Sequence, residues 1–184
     1  MRRLAWTVLT SALVATGACG GKKTAPPLVG GSALADSADQ IMFGARFNLT
    51  TSGVSTALLN ADTAFFFDDN TRVELEKVHM TFYTKTGEQN AELTARRGTF
   101  HTPGGLMVAR GDVDVITQDG RRLRTEELKF DQAKNEVSSD SAFVLTEPDR
   151  RLEGIGFRSD PNLKNVHVLK VLSGTSGTMT IPNQ

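Results

Sequence analysis

Apolar and polar residues alternate along most of the chain from Gln40 onward. Val78, Met80 and Phe82 alternate with His79, Thr81 and Tyr83. Ala91, Leu93 and Ala95 alternate with Glu92, Thr94 and Arg96, and Val113 and Val115 with Asp112 and Asp114. A period of two sends successive side chains to opposite faces, so these stretches predict β-strands with one apolar face. Met42, Phe43, Phe47 and Leu49 predict a first strand. Ala64–Phe67 and Val73–Leu75 predict short strands on either side of an Asp68-Asp69-Asn70 turn. Leu123, Leu128, Phe130, Val137, Phe143, Val144 and Leu145 continue the pattern up to Pro148-Asp149. Val166, Val168 and Lys170 then alternate with His167, Leu169 and Val171. Thr86-Gly87, Pro103-Gly104-Gly105 and Asp119-Gly120 mark turns. Asp119-Gly120 predicts a type I′ hairpin, which needs positive φ at both central residues. Helical periodicity is absent, and one short helix is expected over Ser32–Ile41. About twelve short antiparallel strands over roughly 145 residues fit one all-β domain, a jelly roll or sandwich.

A longer period overlies the alternation. Ala61-Asp-Thr-Ala-Phe-Phe, Ala95-Arg-Arg-Gly-Thr-Phe, Thr125-Glu-Glu-Leu-Lys-Phe and Gly154-Ile-Gly-Phe-Arg-Ser line up from their small first residues. The spacings between successive starts are 34, 30 and 29 residues. The first three are each followed by an apolar strand core: Val78–Phe82, Val113–Ile116 and Phe143–Leu145. A fixed period of this size predicts stacked units, here strand pairs, none of which buries its apolar face alone. The expected product is an elongated β-scaffold with a long apolar interior.

The first residues read as an export signal. Arg2 and Arg3 precede the apolar run Leu4–Ala15, and Thr16-Gly17-Ala18 leads into Cys19, the only cysteine of the 184-residue chain. The run is short for a membrane span and fits a secretory signal over residues 1–18. Small residues directly before a cysteine resemble a bacterial lipobox, which implies cleavage before Cys19 and lipidation of its thiol. Thr16 stands where that motif usually has Leu or Val. The alternative is an ordinary signal cut near Ala18 with a free thiol. Residues 19–39 read as a tether rich in Gly, Pro and Ser. Residues 40–184 read as the β-domain.

Charge and chemistry narrow the function. Removing Arg2 and Arg3 leaves 19 basic against 21 acidic residues, and no basic surplus points to nucleic acid. His79, His101 and His167 have no metal-ligand spacing. Asp68-Asp69 and Glu126-Glu127 are adjacent, so on strands they point to opposite faces. Gly154-x-Gly156 opens no helix and suits a bulge or bend in a sheet. The clusters Arg96-Arg97, Arg121-Arg122-Leu123-Arg124 and Arg150-Arg151 suit solvated hairpin ends or contact with lipid phosphates. No enzyme, metal site or cofactor is expected.

Five segments together resemble a known family. They are Gly111-Asp112-Val113-Asp114-Val115; Asp119-Gly120; Leu123–Leu128; Val137-Ser138-Ser139-Asp140; and Leu152-Glu153-Gly154-Ile155-Gly156-Phe157. Their order and spacing are similar to LptC, the inner-membrane component of lipopolysaccharide export. The resemblance covers about Ala61–Lys170, and Gly154–Asp160 favours LptC over its relative LptA. It implies an elongated, open-ended antiparallel β-jelly roll, a twisted boat built from repeated strand pairs. It implies an interior that accepts the acyl chains of lipopolysaccharide. The implied partners are the transmembrane subunits of the lipopolysaccharide ABC transporter (LptF/LptG type) upstream and an LptA-like periplasmic bridge downstream, joined by edge-to-edge strand pairing. Better-known members keep an N-terminal transmembrane helix, whereas this chain carries the lipobox-like Cys19. The resemblance implies an inner-membrane anchor, and Gly20 after the cysteine leaves the outer membrane open.

Strand parity turns Val78, Met80, Phe82, Leu93, Val108, Val113, Val115, Leu128, Phe130, Val137 and Val144 inward. Parity alone makes them the packed core of any sandwich; the resemblance implies that they line a lipid groove. The repeat architecture leaves an end strand around Val166, Val168 and Lys170 as the edge for a partner. Two functions stay open: a lipopolysaccharide carrier, or an envelope lipoprotein acting as a structural adaptor with a fully packed core. An open apolar channel along the long axis would favour the first.

Overall fold

The computed structural model describes residues 33–176; the expected signal, Cys19 and the first part of the tether lie outside them. A short helix, α1 (Ala33–Ser37), precedes nine strands: β1 (Gln40–Thr51), β2 (Val54–Phe67), β3 (Arg72–Tyr83), β4 (Gln89–His101), β5 (Leu106–Thr117), β6 (Arg122–Asp131), β7 (Glu136–Thr146), β8 (Arg150–Ser159) and β9 (His167–Ser176). The expected helix over Ser32–Ile41 is shorter than predicted, because Gln40 and Ile41 already pair with Phe66 and Phe65. Each strand is antiparallel to the next, and the sheet order is the chain order.

There are nine long strands where about twelve short ones were expected. Val73–Leu75 and Val78–Phe82 are both parts of β3. The in-out rhythm slips by one residue inside a strand without the chain turning. Leu75 and Val78 both face the core, and Lys77 between them has φ 52°. The same slip separates Ala61 from Ala64 in β2, Ala95 from Gly98 in β4, Thr125 from Leu128 in β6 and Gly154 from Phe157 in β8. Register breaks accompany it at Thr94/Arg97, Arg110/Val113, Thr125/Lys129 and Ser139/Ala142. Side by side, these bulges bend every strand at one line. The sheet is thereby creased into two leaves.

The crease explains the 30-residue period. Ala61, Ala95, Thr125 and Gly154 are each the last inward residue before the slip, on β2, β4, β6 and β8. They are small because the inner faces converge there. At Gly154 an added Cβ would sit 2.8 Å from the Lys170 carbonyl oxygen and 2.9 Å from Phe143 Cε1.

Each leaf carries a row of inward side chains in register. One row is Leu59, Met80, Leu93, Val115, Leu123 and Leu145; the other is Phe66, Val73, Phe100, Met107, Phe130 and Val137. The leaves pack face to face. Phe82 of one leaf meets the edge of Phe130 of the other at 5.0 Å between centroids. Phe47 lies 6.2 Å from Phe66 and 6.0 Å from Phe100. The result is an all-β jelly roll made from a single folded sheet. Full burial of each such Leu, Phe or Met contributes about 1.5–3 kcal/mol.

Outside the crease, exposed charges face water and pair across strands: Lys77 with Asp62 at 2.7 Å, Arg96 with Asp112, and Lys129 with Asp140 at 2.7 Å. Inside it, hydroxyls take up backbone groups that the broken ladder releases. Ser139 donates to the Glu127 carbonyl at 2.6 Å, and Thr125 donates to the Ala142 carbonyl at 2.9 Å.

The Asp119-Gly120 turn is present between β5 and β6, but it is not type I′. Only Gly120 has positive φ, at 87°, and the loop is closed by Thr117 N–H donating to the Arg121 carbonyl at 2.9 Å. The longer loop puts a single left-handed residue at the glycine.

Candidate lipid-contacting interior and docking edges

Nine of the eleven residues expected to face inward do so together: Val78, Met80, Phe82, Leu93, Val113, Val115, Leu128, Phe130 and Val137 lie in one buried cluster. Two do not. Val108 is buried but stands between Thr99 and Lys129 on the outer face. Val144 stands between Arg124 and Glu153, half-buried on the outer face, and lines a small recess with Arg122, Arg124, Thr146 and Arg151. Both belong to unbroken apolar triplets, Met107-Val108-Ala109 and Phe143-Val144-Leu145. Such triplets carry no parity signal. Register decides instead, placing Met107 beside Phe130 and Leu145 beside Leu123.

Sequence reasoning missed Leu59, Met107 and Phe157 as interior residues, although all three are fully buried. The signal for Leu59 was Ala57-x-Leu59-x-Ala61, an alternation of small and large residues. Phe157 was hidden by the slip after Gly154.

The interior is apolar and closed. The buried polar residues among those described are threonines and serines, with no charged side chain. Phe82, Phe130, Met80, Leu93 and Val113 are all close to fully buried, so the open channel that would separate the two functions is not seen between the leaves. Solvent-sized space lies at the strand ends. A cavity of about 540 Å³ is bordered by the β1–β2 and β3–β4 turns on one leaf, and by the β6–β7 turn and the β8–β9 loop on the other. There Gln132 donates its side-chain amide to the Thr50 carbonyl at 2.6 Å, tying the two leaves together. Leu163, in the β8–β9 loop, is buried in the core.

Ionisable groups are spent on surface pairs. Arg122 lies against Asp114 through Nε at 2.9 and 3.0 Å and through a second nitrogen. The Thr117 hydroxyl, helped by the Arg121 guanidinium, holds the Asp119 carboxyl below its ordinary 3.8. Lys129 lowers Asp140 by hydrogen bonding, and Lys134 does the same to Asp131. His79 Nε2 lies 3.5 Å from Glu92. Among the described residues no group of three His, Cys, Asp or Glu gathers to hold a metal, and no helix is long and apolar enough to cross a membrane.

β1 and β9 are the two edges of the described sheet. Val166 precedes β9 rather than lying in it. Val166 and Val168 pack against the core, whereas Lys170 is exposed, so the three do not share one side. The crease passes between Val168, opposite Phe157, and Lys170, opposite Ile155. β9 shows apolar surface at Leu169 (66% exposed), Val171 (60%) and Leu172 (55%), and β1 does so at Phe43 (55%).

No curated protein matches the chain. The model of the LptC-related lipopolysaccharide-assembly family matches residues 31–176, a span that takes in the described helix and all nine strands. The chain therefore belongs to the LptC-related family of lipopolysaccharide-assembly proteins.

Proposed function

We propose that this protein carries lipopolysaccharide by its acyl chains between the two leaves of the creased sheet. Membership of the family gives it a role in lipopolysaccharide transport, on the periplasm-facing side of the envelope. The observation that carries the finer reading is the interior itself. Two in-register apolar rows run from β2 to β7 without a charged residue, over roughly 24 Å at about 4.8 Å per strand. Each methylene taken from water contributes about 0.8 kcal/mol. A chain of a dozen carbons therefore binds strongly, and its release calls for an interior that opens. The crease supplies a line about which the leaves part, and the strand ends opposite supply the mouth. The closed structure is then the unloaded state.

The edges supply the relay. β9, with its exposed Leu169, Val171 and Leu172, offers a free ladder to an LptA-like bridge, and β1 offers a second ladder toward the LptF/LptG-type subunits. Lipidated Cys19 would hold the domain at the membrane through the tether of residues 19–39. Mass spectrometry of membrane-extracted protein tests the anchor: an unmodified N-terminus at or after Cys19 removes it.

One observation favours a second reading. The sealed interior suits an adaptor whose core is simply packed and whose edges do the work. Photo-crosslinking in cells separates the two, since a carrier yields lipopolysaccharide adducts from inward positions and an adaptor yields none.

A further inference from the structure

The cavity between the lips of the two leaves sets polar groups on a largely apolar wall. Val54, Ala133 and Pro161 contribute to that wall, and Tyr83, Lys85 and Asn90 from one leaf face Gln132, Asn135 and Asn162 from the other across the space. The side-chain amides of Asn90, Asn135 and Asn162 and the Tyr83 phenol have no hydrogen-bond partner among the described residues, and Lys85 makes no ion pair there. Among the described residues no carboxylate lines the space. The Gln132–Thr50 bond fixes the distance between the lips. At about 540 Å³ the cavity falls within the ~300–1,000 Å³ typical of small-molecule sites.

These features select a ligand class. An acyl chain would leave three amides and a phenol unpaired on burial, each a penalty. A divalent cation would need carboxylate oxygens, and the lining has none. A saccharide meets the lining better. Each amide offers a donor and an acceptor on one plane, matching hydroxyls that both donate and accept. The Tyr83 ring offers a flat face of the kind that the C–H face of a sugar packs on, and the Lys85 ammonium suits one anionic substituent.

We propose that this recess grips the saccharide headgroup of the lipid while the acyl chains lie between the leaves, an inference that rests on the carrier reading above. The headgroup would thus be read at the mouth, and the orientation of the cargo set there.

Tyr83 is the chain's single tyrosine and Trp6 its single tryptophan, so protein that lacks Trp6, whether processed before Cys19 or carrying Trp6→Phe, reports from the recess by tyrosine fluorescence. The probes are intact lipopolysaccharide, deacylated lipopolysaccharide and inorganic phosphate. Deacylated lipopolysaccharide is expected to change Tyr83 emission saturably. Asn90→Ala and Asn135→Ala should each weaken it about two- to tenfold, the worth of one or two hydrogen bonds, at unchanged melting temperature. Lys85→Ala should weaken it too, with no packing to disturb. Binding of intact but not deacylated lipopolysaccharide overturns the recess and leaves the carrier standing. A response to phosphate alone at the same concentration also overturns the saccharide claim. Failure of both lipopolysaccharide forms to bind overturns the carrier reading, and the recess with it.

Discussion

Single side chains separate the inner face from the outer. Val113, between two aspartates in sequence, is buried in the closed core, while Val144, between Phe143 and Leu145, faces Arg124 and Glu153 outside. Val113→Asp places an unpaired charge in that core and should lower stability by about 3 kcal/mol or more. Val144→Asp lies among arginines and should change stability by less than about 0.5 kcal/mol. Thermal melts of the two variants check this, and equal losses would mean that the faces are misassigned. Acid should act through the paired carboxylates. Asp119, Asp131 and Asp140 are all held below 3.8 by hydrogen bonds and nearby cations. A lowered folded-state pKa gives stability that is complete above the unfolded value and lost as pH falls through the folded one. Their contribution should therefore be complete and independent of pH near neutrality, and the melting temperature should fall below about pH 4 as it is lost. Asp140→Asn should flatten that acid limb. A limb unchanged in Asp140→Asn would remove this pair from the explanation.

At the scale of the element, the crease is the feature that sequence pattern disguised. Alternation identified Val78–Phe82, Ala91–Ala95 and Val113–Val115 as strand, and Asp119-Gly120 and Pro103-Gly104-Gly105 fall in turns. The slip at Leu75–Val78 read as a strand boundary, because a bulge and a turn both interrupt a period of two. Only pairing to the neighbouring strand tells them apart. The repeat starting at Ala61, Ala95, Thr125 and Gly154 was visible as spacing; its meaning as a bend line needed three dimensions. In the candidate site, parity found the residues of clean alternation and failed at the triplets around Val108 and Val144. Gly154 tests the crease. Gly154→Ala brings a methyl against the Lys170 carbonyl, Phe143 and Val168, and overpacking of this kind costs about 1–3 kcal/mol. Its effect should concentrate in β8 and β9, seen as faster amide hydrogen exchange there than in β2–β4. Uniform exchange would argue against a close approach. Val168→Pro removes one ladder donor at the exposed edge. The rest of the sheet should stay folded while pull-down of an LptA-like partner is lost. Undiminished binding would move the docking edge to β1 near Phe43–Leu49.

For the whole molecule, one folded sheet does the work of two. The crease gives it a closed apolar interior, a charged rim on one side and a mouth of mixed polar and apolar lining on the other, and β1 and β9 are the edges of the described sheet. The mouth was not legible in the sequence, because Tyr83 and Asn90 at strand ends and Asn135 and Asn162 in loops are scattered along the chain, and only the fold brings them together. The central claim is that the leaves admit acyl chains. Its most direct test is photo-crosslinking in living cells, with the photoreactive residue placed at Phe82, Val113 or Phe130 inside and at Ile116 or Val144 outside. Lipopolysaccharide adducts from the inside positions, with none from the outside ones, are predicted. Adducts absent from all three inside positions in a folded, membrane-associated protein would contradict the account and leave the packed adaptor in its place.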